Sequence, residues 1–317
     1  MDSLIYSLNA TVPIFLIMIT GNILKRAGYI DIHFADIADK LVFKVCLPCY
    51  LFLNLSGTNL RKNFDASYLG YCFLVTLISI LAIWFCARLL FKDKSQIGAF
   101  VQGSYRSSAA ILGIAFIENI YGTAEMAPLM ILGSVPLYNI FAVIVLTLES
   151  NGQQERAMAS RIKTAFWGVL KNPIIISIFL GLAASCLNLS LPHIAERTIN
   201  NLGILTSPLA LLSIGASFKG RSAIAKIKPT LAASFLKLVG LAAIFLPFAV
   251  YLGFRDQKLI AIIIMLASPC TPTSYIMAKN LKGDSVLASS IVVTTTLLSS
   301  ITLTGWIFLA RCFQLIQ

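Results

Sequence analysis

Ten apolar runs, separated by short polar or basic intervals, follow one another along the chain near 4–24, 36–56, 67–90, 97–119, 125–148, 164–187, 198–218, 228–252, 258–279 and 285–311. About 20 apolar residues carry a helix across the hydrocarbon layer of a bilayer, so the pattern predicts an all-α polytopic membrane protein with ten transmembrane helices. One run carries its own interruption. Pro269 and Pro272 lie three residues apart inside it, and each lacks the amide that a continuing helix needs. Backbone freed by such a break at membrane depth must face protein or a polar cavity. The stretch Ser268–Tyr275 therefore predicts a broken helix that forms part of a binding site.

Composition agrees with the pattern, since 58% of residues are hydrophobic, 12% are charged and mean hydropathy is +0.85. A net charge of +12 would suggest nucleic acid in a soluble chain. Here the basic residues sit between apolar runs, and topology explains them better. If alternate loops share a side, one side holds fifteen Lys and Arg and the other six. The richer side is then cytoplasmic, both termini face out, and the chain lies in the cell membrane. With Asp2 and no basic leader, the first run reads as a retained span and not as a cleaved signal. The seven cysteines read as free thiols. Cys46-x-x-Cys49 lies in an apolar run with no His nearby, which argues against a metal or redox role.

An internal repeat is visible in the prolines. Pro13 recurs as Pro173 and Pro48 as Pro208, both displaced by 160 positions, and Asn119–Gly122 resembles Asn280–Gly283 at 161. The chain divides accordingly into a first five-helix repeat (1–150), a cytoplasmic linker (151–163) and a second five-helix repeat (164–317). An odd number of spans inserts the second repeat upside down relative to the first, the plan of many secondary transporters. At this offset the Pro269–Pro272 break maps onto 108–111, in a stretch that contains Gly103, Arg106, Ser107, Ser108 and Gly113. Runs four and nine thus become a pair of antiparallel broken helices.

Half-helix N-termini that meet at mid-membrane favour an anion, because their first amides are unpaired and their dipoles aligned. The candidate ligands are Ser107 and Ser108 on one arm and Cys270, Thr271, Thr273 and Ser274 on the other, with Asn54 lining the path. The alternative is that these are proline kinks and small packing residues. Arg106 near a helix centre demands a partner. It either binds a substrate carboxylate, neutralises carbonyls at the break or snorkels outward, and the two structural roles weigh slightly more. Lys44 and Lys237 raise the same question. No acidic residue falls at mid-span, so coupling to protons or sodium would use neutral ligands such as the carbonyls at the breaks or Asn54, or else a carboxylate that lies deeper than the pattern places it. With two histidines and no His-Glu-x-x-His, Gly-x-Ser-x-Gly or Walker lysine loop, the chain does not read as an enzyme or an ATP-driven pump.

The segments Gln102–Ser108, Leu47-Pro48 with Asn54–Gly57, and Pro272–Tyr275 through Lys279, Gly283-Asp284 and Thr294–Leu297 resemble the auxin efflux carrier family. That family includes plant PIN-formed carriers and bacterial malonate or malate permease-like proteins. The resemblance implies scaffold and transport domains, broken crossover helices four and nine, elevator-like movement of small organic anions and a homodimer through the scaffold. Ser108 stands where the family pattern has Asn, and Ala115 where a Pro often follows the Gly. The expected function is secondary transport of a small carboxylate-class anion, with no cofactor. The alternatives are an ion-coupled carrier of neutral or bile-acid-like solutes, and a membrane receptor that moves nothing.

Overall fold

A computed structural model describes residues 2–56, 65–109, 126–149, 170–187, 191–217 and 224–316, with a few single positions between them. Gly113, the linker 151–163 and most of the second half of the run 97–119 lie outside the described residues, among which there is no strand. The helices are α1 (Asp2–Arg26), α2 (Ile32–Leu41), α3 (Leu47–Ser56), α4 (Ala66–Leu90), α5 (Ile97–Tyr105), α6 (Ala127–Leu148) and α7 (Pro173–Cys186). They continue with α8 (His193–Ile204), α9 (Thr206–Ser217), α10 (Ile227–Phe235), α11 (Leu241–Tyr251), α12 (Asp256–Ala267), α13 (Thr273–Asn280) and α14 (Ser285–Cys312). Five stretches among the described residues are long and apolar enough to cross a membrane: α4, α6, α8 with α9, α10 with α11, and α14.

Local chemistry sets the helix limits. Asp31, Asp65 and Asp284 each accept a hydrogen bond from the amide three residues on, which satisfies a first-turn donor of α2, α4 and α14. Asn172 caps α7 through the Ile174 amide, and Pro173 occupies the first turn, where its missing amide costs nothing. That cap starts α7 inside the run 164–187. The turn at Leu205 has a similar origin, because Pro208 offers no amide to the Ile204 carbonyl and one helix becomes α8 and α9. Five π-helical residues, Val42–Cys46, join α2 to α3 just ahead of Pro48, and a second π-segment, Leu236–Gly240, joins α10 to α11. Such widened turns often mark functional positions in a helix.

The helices pack in two sets. In the first, α1 lies against α9, α3 against α7 and α8, and α2 against α9. In the second, α4 packs on α5 and α6, while α14 packs on α10, α12 and α13. α1 and α9 approach so closely that a Cβ on Gly215 would overlap the Met18 carbonyl oxygen, so only glycine fits there. Asn22 and Lys25 of α1 donate to the carbonyls of Gly215 and Ala216 and close the last turn of α9. The sets meet where α1 touches α14 and where α13 touches α2 and α9.

Candidate functional site

Both broken helices are interrupted at the same place in the second set. α5 ends at Tyr105, Arg106 is extended and Ser107 and Ser108 are non-helical, while α12 ends at Ala267 and the chain resumes as a helix only at Thr273. The two breaks bond directly. The Ser108 amide donates to the Pro269 carbonyl at 3.0 Å, and the Ser107 hydroxyl lies 2.5 Å from that of Ser268 and donates to the Ile264 carbonyl.

Arg106 is 4% exposed, so its head does not snorkel. Its Nε donates to Thr271 Oγ1 at 2.8 Å, and Nη2 donates to Asn139 Oδ1 at 2.7 Å and to Thr273 Oγ1 at 2.9 Å. Nη1 approaches the Met277 sulfur at 3.0 Å. Four of the five N–H groups of a guanidinium are thereby used. Every partner among the described residues is neutral, and none of them is a carboxylate.

A second buried cation lies behind the break. Lys237, on the π-segment between α10 and α11, is 0% exposed and donates to the carbonyls of Met265 at 3.1 Å and Leu266 at 2.8 Å. Those carbonyls belong to the last turn of α12, where no amide of the same helix can reach them. The α12 terminus thus finishes against a basic side chain, which its dipole favours. Arg106 is the residue that ends α5, but its guanidinium turns away from that helix to Thr271, Thr273, Asn139 and Met277.

The amides contribute less than the sequence suggests. Those of Ser274, Tyr275 and Ile276 are taken by the Thr271 and Pro272 carbonyls, and that of Cys270 donates to Thr295 Oγ1. Cys270 bonds through its thiol to the Ser274 hydroxyl, which in turn donates to the Thr271 carbonyl. Cys270 and Ser274 thus hold the break in shape, whereas Arg106, Ser107, Ser108, Thr271 and Thr273 line a cavity of about 40 Å³. Its far wall is Leu47, Tyr50 and Leu51 of α3 with Thr206 and Ser207 of α9, so it lies between the two helix sets. At about 10–15 Å³ per water it admits a few waters or a carboxylate-sized group.

Asn54 is not brought to the crossing. It lines a separate cavity of about 680 Å³ with His193, Glu196, Arg197 and Asn200. Gly103 lies one turn before the α5 break, packed against Ile291 of α14. Three contributors carried too weak a sequence signal to be assigned a role: Lys237, Asn139 and Thr295. Only the lysine was conspicuous, as a charge inside an apolar run. Asp39, at the edge of the run 36–56, is also buried in the structure.

Interrupted helices around a buried cation, between two packed helix sets, fit a membrane transport protein, and the family match shows that class. The chain belongs to the family described as Membrane transport protein, the auxin efflux carrier family, which matches residues 6–307. It is also similar to the lysosomal cholesterol signaling protein of Mus musculus, with 26% identity over 227 residues, 67% of this chain and 26% of that protein. The chain thus spans about a quarter of that relative's length.

Proposed function

We propose that the protein is a secondary transporter of a small organic anion of the carboxylate class. The observation that carries this reading is Arg106, buried at the crossing with only neutral partners among the described residues and facing the cavity between the helix sets. A carboxylate entering there meets the remaining guanidinium N–H and the hydroxyls of Thr271 and Thr273, and supplies the missing negative charge. The second set carries the crossing and acts as the transport domain. The first set, with its close α1–α9 contact, acts as the scaffold, and alternating access follows from elevator-like sliding of one against the other. Both termini face outward in the cell membrane.

The test is counterflow in proteoliposomes with labelled acetate, malonate and succinate. Saturable exchange of at least one is expected, together with its loss when Arg106 is replaced by Gln. Indifference of uptake to every anion and to that substitution would overturn the reading.

A second reading is favoured by a groove of about 570 Å³ whose lining includes Leu246, Pro247, Leu259, Trp306 and Phe313. This is an apolar surface suited to a sterol, in line with the name of the mouse relative, and it would make the chain a receptor. Sterol-dependent stabilisation abolished by Trp306→Ala, with no counterflow of any carboxylate, would support it.

A further inference from the structure

The cavity at the crossing has a wall from each helix set. Side chains on the wall of the second set are spent on one another and on the backbone. The hydroxyls of Thr271 and Thr273 lie 2.9 Å apart and both accept from Arg106, while Asn139 accepts from Arg106 and donates to the Val135 carbonyl. The Ser107 hydroxyl donates to the Ile264 carbonyl. Thr206, on the wall of the first set, differs. It is 2% exposed, and its hydroxyl is closed to solvent and has no hydrogen-bond partner. Among the described residues that line this cavity, it alone carries a buried side-chain polar atom left unbonded.

The missing bond is unusual for the residue type. A serine or threonine in a helix commonly donates to the carbonyl four residues back. Thr20, Ser79, Thr230, Ser234 and Thr296 all do so. Thr206 opens α9 directly after the turn at Leu205, and makes no such bond. A buried hydroxyl without an acceptor is unfavourable, and its persistence calls for an acceptor from elsewhere.

We infer that Thr206 is the ligand of the anion on the first helix set, donating its hydroxyl to one oxygen of a carboxylate whose other oxygen is held by Arg106. The inference rests on the transport reading above. At about 40 Å³ the cavity takes a group the size of one carboxylate, so both walls close on the same group. A threonine in a helix has two χ1 wells open to it, and turning between them brings the hydroxyl round without moving the backbone. A carboxylate only accepts, through two oxygens, which matches a cationic donor on one wall and a neutral donor on the other. Leu47 and Leu51 of α3 make much of the remaining first-set wall apolar. An anion so held bridges the two sets across the surface on which they slide.

The experiment is thermal unfolding of the full chain in detergent, titrated with acetate, malonate and succinate. Thr206→Val keeps the shape of the side chain and removes the hydroxyl. That hydroxyl bonds nothing in the unliganded protein, so the melting temperature without ligand should stay or rise. Affinity for the carboxylate that most stabilises the wild type should fall about tenfold or more. Thr206→Ser keeps the hydroxyl and should retain the affinity, whereas Thr206→Ala should lose it as Thr206→Val does. An undiminished ligand shift in Thr206→Val and Thr206→Ala overturns the inference. So does a fall in the unliganded melting temperature of Thr206→Val that Thr206→Ser does not share, because the hydroxyl then serves the fold. Absence of any shift in the wild type with all three carboxylates is a different outcome, and removes the anion reading itself.

Discussion

Replacing Arg106 by Gln isolates the charge at the crossing. The amide keeps polarity and some length but carries no positive charge. If the anion is held by a charge-assisted hydrogen bond to the guanidinium, about 1.5–3 kcal/mol is lost. At about 1.4 kcal/mol per tenfold, affinity falls roughly 10- to 150-fold. Unliganded stability is a poor readout. Losing four hydrogen bonds at about 0.5–1.5 kcal/mol each opposes the removal of a buried cation that costs about 2.5–3.5 kcal/mol. The ligand-induced shift is the better measure. A carboxylate at a hundred times its dissociation constant stabilises by about 2.7 kcal/mol, and a hundredfold weaker site gives only about 0.4 kcal/mol. Thermal unfolding in detergent with and without the tightest carboxylate should therefore lose most of its shift in Arg106→Gln. Arg106→Lys, which keeps the charge but not the fork, should fall between the two. An undiminished shift in Arg106→Gln would refute the assignment of the anion to this residue.

Lys237→Met strips the α12 terminus of its cap, leaving the Met265 carbonyl only the longer bond from the Tyr138 hydroxyl at 3.4 Å and the Leu266 carbonyl without its lysine donor; at about 1–3 kcal/mol per unsatisfied group, a clear drop in melting temperature is expected, partly restored in Lys237→Arg. Gly215→Ala forces α1 from α9 and should cost at least about 1–3 kcal/mol, whereas Gly70→Ala, with nothing within 4 Å of the added carbon, should be nearly silent in the same assay. At the start of α4, the hydrogen bond from Lys258 holds the Asp65 carboxyl below its ordinary value of 3.8. Its contribution to stability is therefore complete above that pH and lost as pH falls through the lower folded value. Asp65→Asn keeps the cap and should cost under about 1 kcal/mol for the half-exposed ion pair, while Asp65→Ala should cost about a further 0.5–2 kcal/mol for the cap. Acid titration of unfolding should show the low-pH decline flattened in both variants.

Hydropathy alone establishes the polytopic helical class, because twenty-residue apolar runs leave a chain few alternatives in water or in lipid. The proline positions are equally legible. Pro173 and Pro208 begin α7 and α9, and Pro269 and Pro272 bracket the gap between α12 and α13, since a missing amide acts locally wherever the chain goes. The serine-rich stretch after Arg106 carries no proline, so its interruption is much weaker in the sequence. What stops α5 there is the exchange of bonds with Ser268, Pro269 and Ile264, more than 150 residues away.

Which polar residues face the cavity and which merely hold the break was a tertiary decision. Ser274 carries the same hydroxyl chemistry as Thr271 and Thr273, yet the Cys270 thiol and the Thr271 carbonyl take it up, while Thr295 of α14 takes the Cys270 amide. Asn54 was drawn to the site by its residue type alone, and α3 carries it to another cavity. Lys237 is legible as an anomaly but its purpose is not, because the carbonyls it caps belong to a different helix. Asp39 was hidden for the converse reason. At the edge of an apolar run an acid looks solvated, and only the docking of α13 on α2 encloses it. Patterning along the chain fixes what must leave water and where the helical ladder fails, both local properties. The pairing of charges, and the neutrality of the described partners of Arg106, depend on contacts between segments that no local pattern encodes.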